Sequence, residues 1–268
     1  MKNIEIPYQE QKGKRYRFFE MIPGITSWTI LLLPFLLGWL NPTLGVLLIL
    51  AYLLIWFAKS MGLTLRSVQG LRVINKQMKF PWDQMLKEIS ERKVSQPSKH
   101  IPAWHYENIR RLQESPPIVE PDDVVHAIII AAYNETKEVL GPTVQYILAS
   151  EYDMKKVILV FAYEGRDGAQ SEQAVLELVE EYGDKFMKTM ASKHPLTEGE
   201  VRGKGGNITY AGRRLAEYLE KQNIDPIRVV VTTLDSDNRP HKYYLPALTY
   251  IYSLAPDPVH VSFQPVPM

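Results

Sequence analysis

The chain has 268 residues, with 31 Lys and Arg against 30 Asp and Glu, a formal net charge of +1. That near balance removes the bulk electrostatic case for nucleic acid as a partner. The absence of cysteine excludes disulfides, thiolate zinc sites and cysteine nucleophiles.

Residues 1–23 form a polar, basic segment that includes Lys12, Lys14, Arg15 and Arg17. Two stretches without a charged side chain follow, at 24–40 and 42–58, separated by the helix-breaking Asn41-Pro42-Thr43. Each lies near the lower edge of the roughly 17–25 residues that cross a bilayer's hydrocarbon core, so they predict a transmembrane helical hairpin. Pro34 is tolerated in a lipid-embedded helix. Trp28, Trp39, Tyr52 and Trp56 sit near segment ends, where amphipathic rings favour the membrane interface. Basic residues flank the pair on both sides, with Lys59, Arg66, Arg72 and Lys76 following it, and the turn carries no charge. By the positive-inside tendency both ends are cytoplasmic, making the chain a multi-pass membrane protein with a cytoplasmic main domain. The run starts too late and is too long for a cleaved signal peptide. A re-entrant hairpin, or a buried helical hairpin in a soluble protein, fits the same run.

Residues 59–122 read as a polar connector. Within it Trp82, Met85, Leu86 and Ile89 fall at i, i+3, i+4 and i+7, one face of a short amphipathic helix. Lys79, Lys87, Arg92 and Lys93 around that face suit an anionic membrane surface, and packing on the following domain suits it equally. Pro116, Pro117 and Pro121 punctuate the chain before a new domain at 123–268.

From 124 strand and helix patterns alternate. Strands are expected at 124–131, 157–162, 186–191 and 229–234. One helix begins at Thr136 with Leu140, Val144, Ile147 and Leu148 on one face. A second is capped by Ser171 and carries Val175, Leu178, Val179 and Tyr182. A third carries Ile208, Ala211, Leu215, Tyr218 and Leu219. Repeated βα units of this length predict an α/β fold with a mainly parallel, doubly wound sheet.

Open sheets of this kind bind ligands at the carboxyl ends of their strands. Asp235-Ser236-Asp237 stands at such an end, and two carboxylates at i and i+2 can share a hard divalent cation such as Mg2+ or Mn2+. Arg202-Gly203-Lys204-Gly205-Gly206-Asn207 precedes a helix. Its glycines admit close backbone approach, the helix start offers unpaired N–H groups, and Lys204 adds a cation. It lacks the Walker A spacing. Tyr133-Asn134-Glu135 and Glu164-Gly165-Arg166-Asp167 leave the first and second strands and would rim the same crevice. The six histidines contain no i, i+4 pair, which disfavours a helical metal site.

In order, Ile128-Ile129-Ile130-Ala131-Ala132-Tyr133-Asn134-Glu135, Gly203-Lys204-Gly205-Gly206-Asn207 and Thr233-Leu234-Asp235-Ser236-Asp237 resemble the family 2 glycosyltransferases with a GT-A nucleotide-sugar-binding fold. The resemblance spans residues 124–250, and the leading hairpin is similar to that of the membrane-bound members. It implies that Ala132, Tyr133, Asn134 and Glu135 border the nucleotide base, that Lys204 helps hold the nucleotide, and that Asp235 and Asp237 bind a metal-diphosphate. After the second strand, where the family carries acids, the chain departs from the pattern, and Glu164 or Asp167 is the nearest match. The family's catalytic base and, in processive members, a Gln-x-x-Arg-Trp motif lie beyond the D-x-D. Asp257 is the one acid after Asp237, and no catalytic residue is assigned.

The expectation is therefore the amino-terminal part of a membrane-anchored, metal-dependent, inverting glycosyltransferase. It would pass a sugar from a UDP- or GDP-sugar donor to a glycan or lipid-linked acceptor. Two alternatives stand beside it: a non-catalytic membrane-tethered nucleotide-sugar-binding module, and a nucleotidyltransferase.

Overall fold

In the computed structural model of the chain, which describes residues 12–94, 100–164, 169–195 and 203–264, Asn41 closes one helix and opens the next. Helix α1 (Lys14–Leu40) ends as the Asn41 N–H bonds the Leu37 carbonyl at 2.7 Å. Helix α2 (Pro42–Gln77) begins as Asn41 Oδ1 accepts from the backbone N–H of Thr43 at 3.1 Å and of Leu44 at 3.4 Å. Pro42 fits the first helical position because its missing N–H would have had no partner there. The turn brings Gly38 and Gly45 together: a Cβ added at Gly45 would lie 2.9 Å from the Gly38 Cα. Small residues at that point let the two backbones touch.

Both helices are long and apolar enough to cross a membrane by length and composition. Their apolar side chains are almost all exposed, Phe35 at 74% and Trp39 at 83%. Helix α2 also runs on past the expected end of its span, through Lys59, Arg66, Arg72 and Lys76. Its 36 residues extend for about 54 Å at ~1.5 Å per residue, well beyond the ~30 Å of one hydrocarbon crossing.

The described chain divides into two units between Gln77 and Met78. The second holds a four-stranded, all-parallel sheet in the order β3-β2-β1-β4, built from β1 (Val125–Ala132), β2 (Val157–Glu164), β3 (Lys188–His194) and β4 (Val229–Asp235). β1 and β2 are buried along their whole length, as expected of parallel strands covered on both faces. On one face Ile128, Ile130, Leu159 and Phe161 pack with Leu140, Val144 and Ile147 of α5 (Lys137–Leu148) and Val175 and Leu178 of α6 (Ala169–Tyr182). On the other, Ala127, Ile129, Ile158 and Val160 pack with Ala211, Leu215 and Leu219 of α7 (Lys204–Lys221). The expected helix facing is found apart from Ile208, which is not part of the core that α7 joins, and α6 starts at Ala169, so Ser171 lies buried inside it rather than capping it.

Two further helices were not expected from the sequence: α4 (Ala103–Glu114), inside the segment read as a connector, and α8 (Tyr244–Ser253), after the last strand. Together with α3 (Trp82–Glu91) they enclose a separate core of Phe80, Trp82, Met85, Ile89, Ile109, Leu112 and Tyr250. The amphipathic face of α3 is therefore spent on its own unit, which decides between its two readings. A buried polar chain crosses this core: Glu88 Oε2 lies 2.8 Å from His105 Nε2, and His105 Nδ1 lies 2.9 Å from the Tyr250 hydroxyl. Asn108 Nδ2 donates to the same hydroxyl at 3.2 Å.

Candidate functional site

The strand order changes direction at β1: its next strand in sequence pairs on one side, and β4 pairs on the other. Crevices at such a reversal lie beyond the carboxyl ends of the strands. Here the final register pairs are Ala131 with Asp235 and Ala132 with Tyr163, which bring the exits of β1, β4 and β2 to one rim. Helix α7 packs against β1, β2 and β3 and starts at that rim, since it follows the carboxyl end of β3.

A cavity of about 490 Å³ opens there. Of the residues singled out in the sequence, Ala132, Tyr133, Glu135, Glu164, Lys204, Asp235 and Asp237 all line it. Asn134 is not among the lining residues; it makes the turn instead. Its φ of 63° is left-handed, a conformation that Asn accepts more readily than most residues. The turn folds Glu135 back so that its carboxylate accepts the Tyr133 N–H, while Tyr133 is left 60% exposed at the mouth. Asp167 and Arg202 lie outside the described residues.

The acidic turn is held from two sides. Ser236 Oγ donates to Glu135 Oε1 at 3.0 Å, tying the β4 exit to the β1 exit. The Ser236 carbonyl accepts the Thr143 hydroxyl at 2.6 Å, and Thr143 Oγ1 accepts from Arg239 Nη1 at 2.5 Å. The Lys204 ammonium forms an ion pair with Asp235 Oδ1, with both side chains about half exposed. Lys204 is the first residue of α7. Gly203 before it adopts φ 151°, in a region that disfavours a side chain, and gives the helix no side-chain cap.

Asn207, quoted in the sequence only as the end of the Gly-rich loop, also lines the cavity although it is 2% exposed. His194 Nδ1 lies 3.0 Å from Asn207 Oδ1, fixing the amide at the end of β3. Its signal was present: Asn207 precedes Ala211 and Leu215 at i+4 spacing, so it is a polar residue at the head of a buried stripe. His241 stays on an exposed loop and accepts the Tyr243 N–H at 3.3 Å.

Among the described lining residues are the carboxylates of Glu135, Glu164, Asp235 and Asp237 and the ammonium of Lys204. Among the described residues no group of three or more His, Cys, Asp or Glu side chains gathers to hold a metal ion. Asp235 and Asp237 offer two hard oxygen donors, which suits a cation that takes its other ligands from a bound phosphate and from water. An acid-lined cavity repels an anionic ligand unless a cation accompanies it. No protein-family model matches the chain, and no curated protein matches it.

Proposed function

We propose that this chain binds a nucleotide-sugar with a divalent cation, and that it serves a membrane-anchored glycosyltransferase acting on a glycan or lipid-linked acceptor. One observation carries the proposal: Glu135, Glu164, Lys204, Asp235 and Asp237, drawn from four separate elements, meet in one cavity at the reversal point of a parallel sheet. Asp235 and Asp237 would hold Mg2+ or Mn2+, which when bound neutralises charge growing on a departing nucleoside diphosphate. Lys204, which pairs with Asp235, adds a second positive group. Tyr133 and Glu135 at the β1 exit, with the buried Glu164 at the β2 exit, form the end of the cavity assigned to the nucleoside. The two apolar helices would anchor the domain on the cytoplasmic face.

The alternative is a binding module without transfer activity, which the same cavity would serve equally. Incubating the detergent-solubilised chain with UDP- and GDP-sugars and Mn2+ separates the two. Release of nucleoside diphosphate that Asp235→Ala abolishes supports the transferase. Binding without release supports the module, and neither binding nor release contradicts both.

A further inference from the structure

We propose that Lys204 is the resident counter-ion of Asp235, and that a divalent cation and a diphosphate displace it jointly, so that each tightens the binding of the other. The inference rests on the metal-diphosphate reading of the cavity and adds to it a coupling between the two ligands. Lys204 and Asp235 are paired to one another, so the carboxylate a cation needs already carries a positive partner. A cation entering alone meets that ammonium at contact range and must break the pair. A diphosphate entering alone meets Asp235 and Asp237, and finds Lys204 already engaged by Asp235.

Together the two ligands remove both obstacles. Phosphate oxygens give the ammonium a new partner, and the released carboxylate accepts the cation. The pair is suited to such an exchange because both side chains are half exposed, where ion pairs are weak, and lysine is a point charge on a flexible stem. Gly203 adds no side chain that would restrain the swing. Coupling of this kind is reciprocal: the factor by which the nucleotide tightens the metal equals the factor by which the metal tightens the nucleotide.

Calorimetry on the full chain in detergent, with Mn2+, UDP and GDP as probes, tests this. The wild type should bind Mn2+ weakly alone and about 10-fold more tightly with UDP or GDP present, within the range of ordinary site-to-site coupling. Lys204→Met keeps the stem and removes the charge. It should tighten Mn2+ alone by roughly 5- to 10-fold while the enhancement by nucleotide falls to about 2-fold or less. Lys204→Arg should retain the wild-type pattern. If the wild type binds Mn2+ and nucleotide together but Lys204→Met leaves the affinity for Mn2+ alone unchanged or weaker, the counter-ion role is overturned and the site stands. If the wild type binds neither probe, the site itself falls and this inference with it.

Discussion

Thr143, fully buried in helix α5, donates its hydroxyl to the Ser236 carbonyl oxygen at 2.6 Å. Through this bond a helix that follows β1 holds the turn that follows β4. Arg239 completes the link by donating to Thr143 Oγ1 at 2.5 Å and to the Asn238 carbonyl at 3.0 Å. The acidic turn is thus positioned by residues that do not themselves line the cavity.

Thr143→Val keeps the shape of the side chain and loses both bonds. Its partners Ser236 and Arg239 reach solvent, so the lost bonds should lower stability by about 0.5–1.5 kcal/mol. It should also weaken Mn2+-dependent nucleotide binding by roughly 3- to 10-fold, since a misplaced turn weakens site interactions at modest displacement. Thr143→Ser, which keeps the hydroxyl, should restore binding. Thermal melting and calorimetry on the three proteins check this; full binding by Thr143→Val would show that the turn holds itself.

His126 predicts the acid limb of the stability curve. It is fully buried on β1, its Nε2 lies 2.7 Å from Thr249 Oγ1, and burial pushes its pKa from 6.5 down to about 3. Above pH 6.5 neither the folded nor the unfolded chain carries a proton there. As the pH falls from 6.5 towards 3 the unfolded chain takes up a proton that the fold refuses, so stability declines across that window by up to about 1.4 kcal/mol per pH unit. His126→Gln should flatten this part of the curve while lowering stability near pH 7.5, because the ring's packing against Tyr152 is lost. Denaturant melts at several pH values read both effects, and an unchanged acid limb in the variant would assign it to other groups.

The membrane proposal makes a topological prediction that the chain is well suited to test, since it has no native cysteine. Thr43→Cys, at the turn between α1 and α2, should react with a membrane-impermeant maleimide on intact cells. Asp122→Cys, whose side chain is 81% exposed in the second unit, should react only after permeabilisation. Labelling of both positions in intact cells would contradict a cytoplasmic domain tethered by a crossing hairpin.

Much of the second unit was legible because parallel strands covered on both faces leave a continuous apolar signature. The run Val125–Ala132 needs no partner to be recognised. β3 was shifted in the sequence reading, from 186–191 to Lys188–His194, because an edge strand with exposed Lys188, Ala191 and Lys193 carries a broken pattern. Helix α4 escaped because its buried His105, Ile109 and Leu112 are set among charged residues and follow a segment rich in proline. Helix α8 escaped because it is apolar on most sides, which leaves no periodic contrast to detect. In the site, the charged residues were found from their places at strand exits. For Asn207 the spacing shows a place on the buried stripe of α7, while its place in the cavity comes from the packing of that stripe against the sheet.

In the function proposed above, Asp235 and Asp237 grip a cation and its diphosphate at the reversal point of the sheet. Its most direct test is calorimetric titration of UDP- and GDP-sugars into the full chain with and without Mn2+, comparing the wild type with the Asp235→Ala/Asp237→Ala double variant. The account predicts that one of these donors binds the wild type only when Mn2+ is present, and that the double variant loses at least about 100-fold in affinity, as removal of paired charged contacts to a ligand does. Donor affinity that is equal with and without Mn2+, or that survives in the double variant, would contradict it.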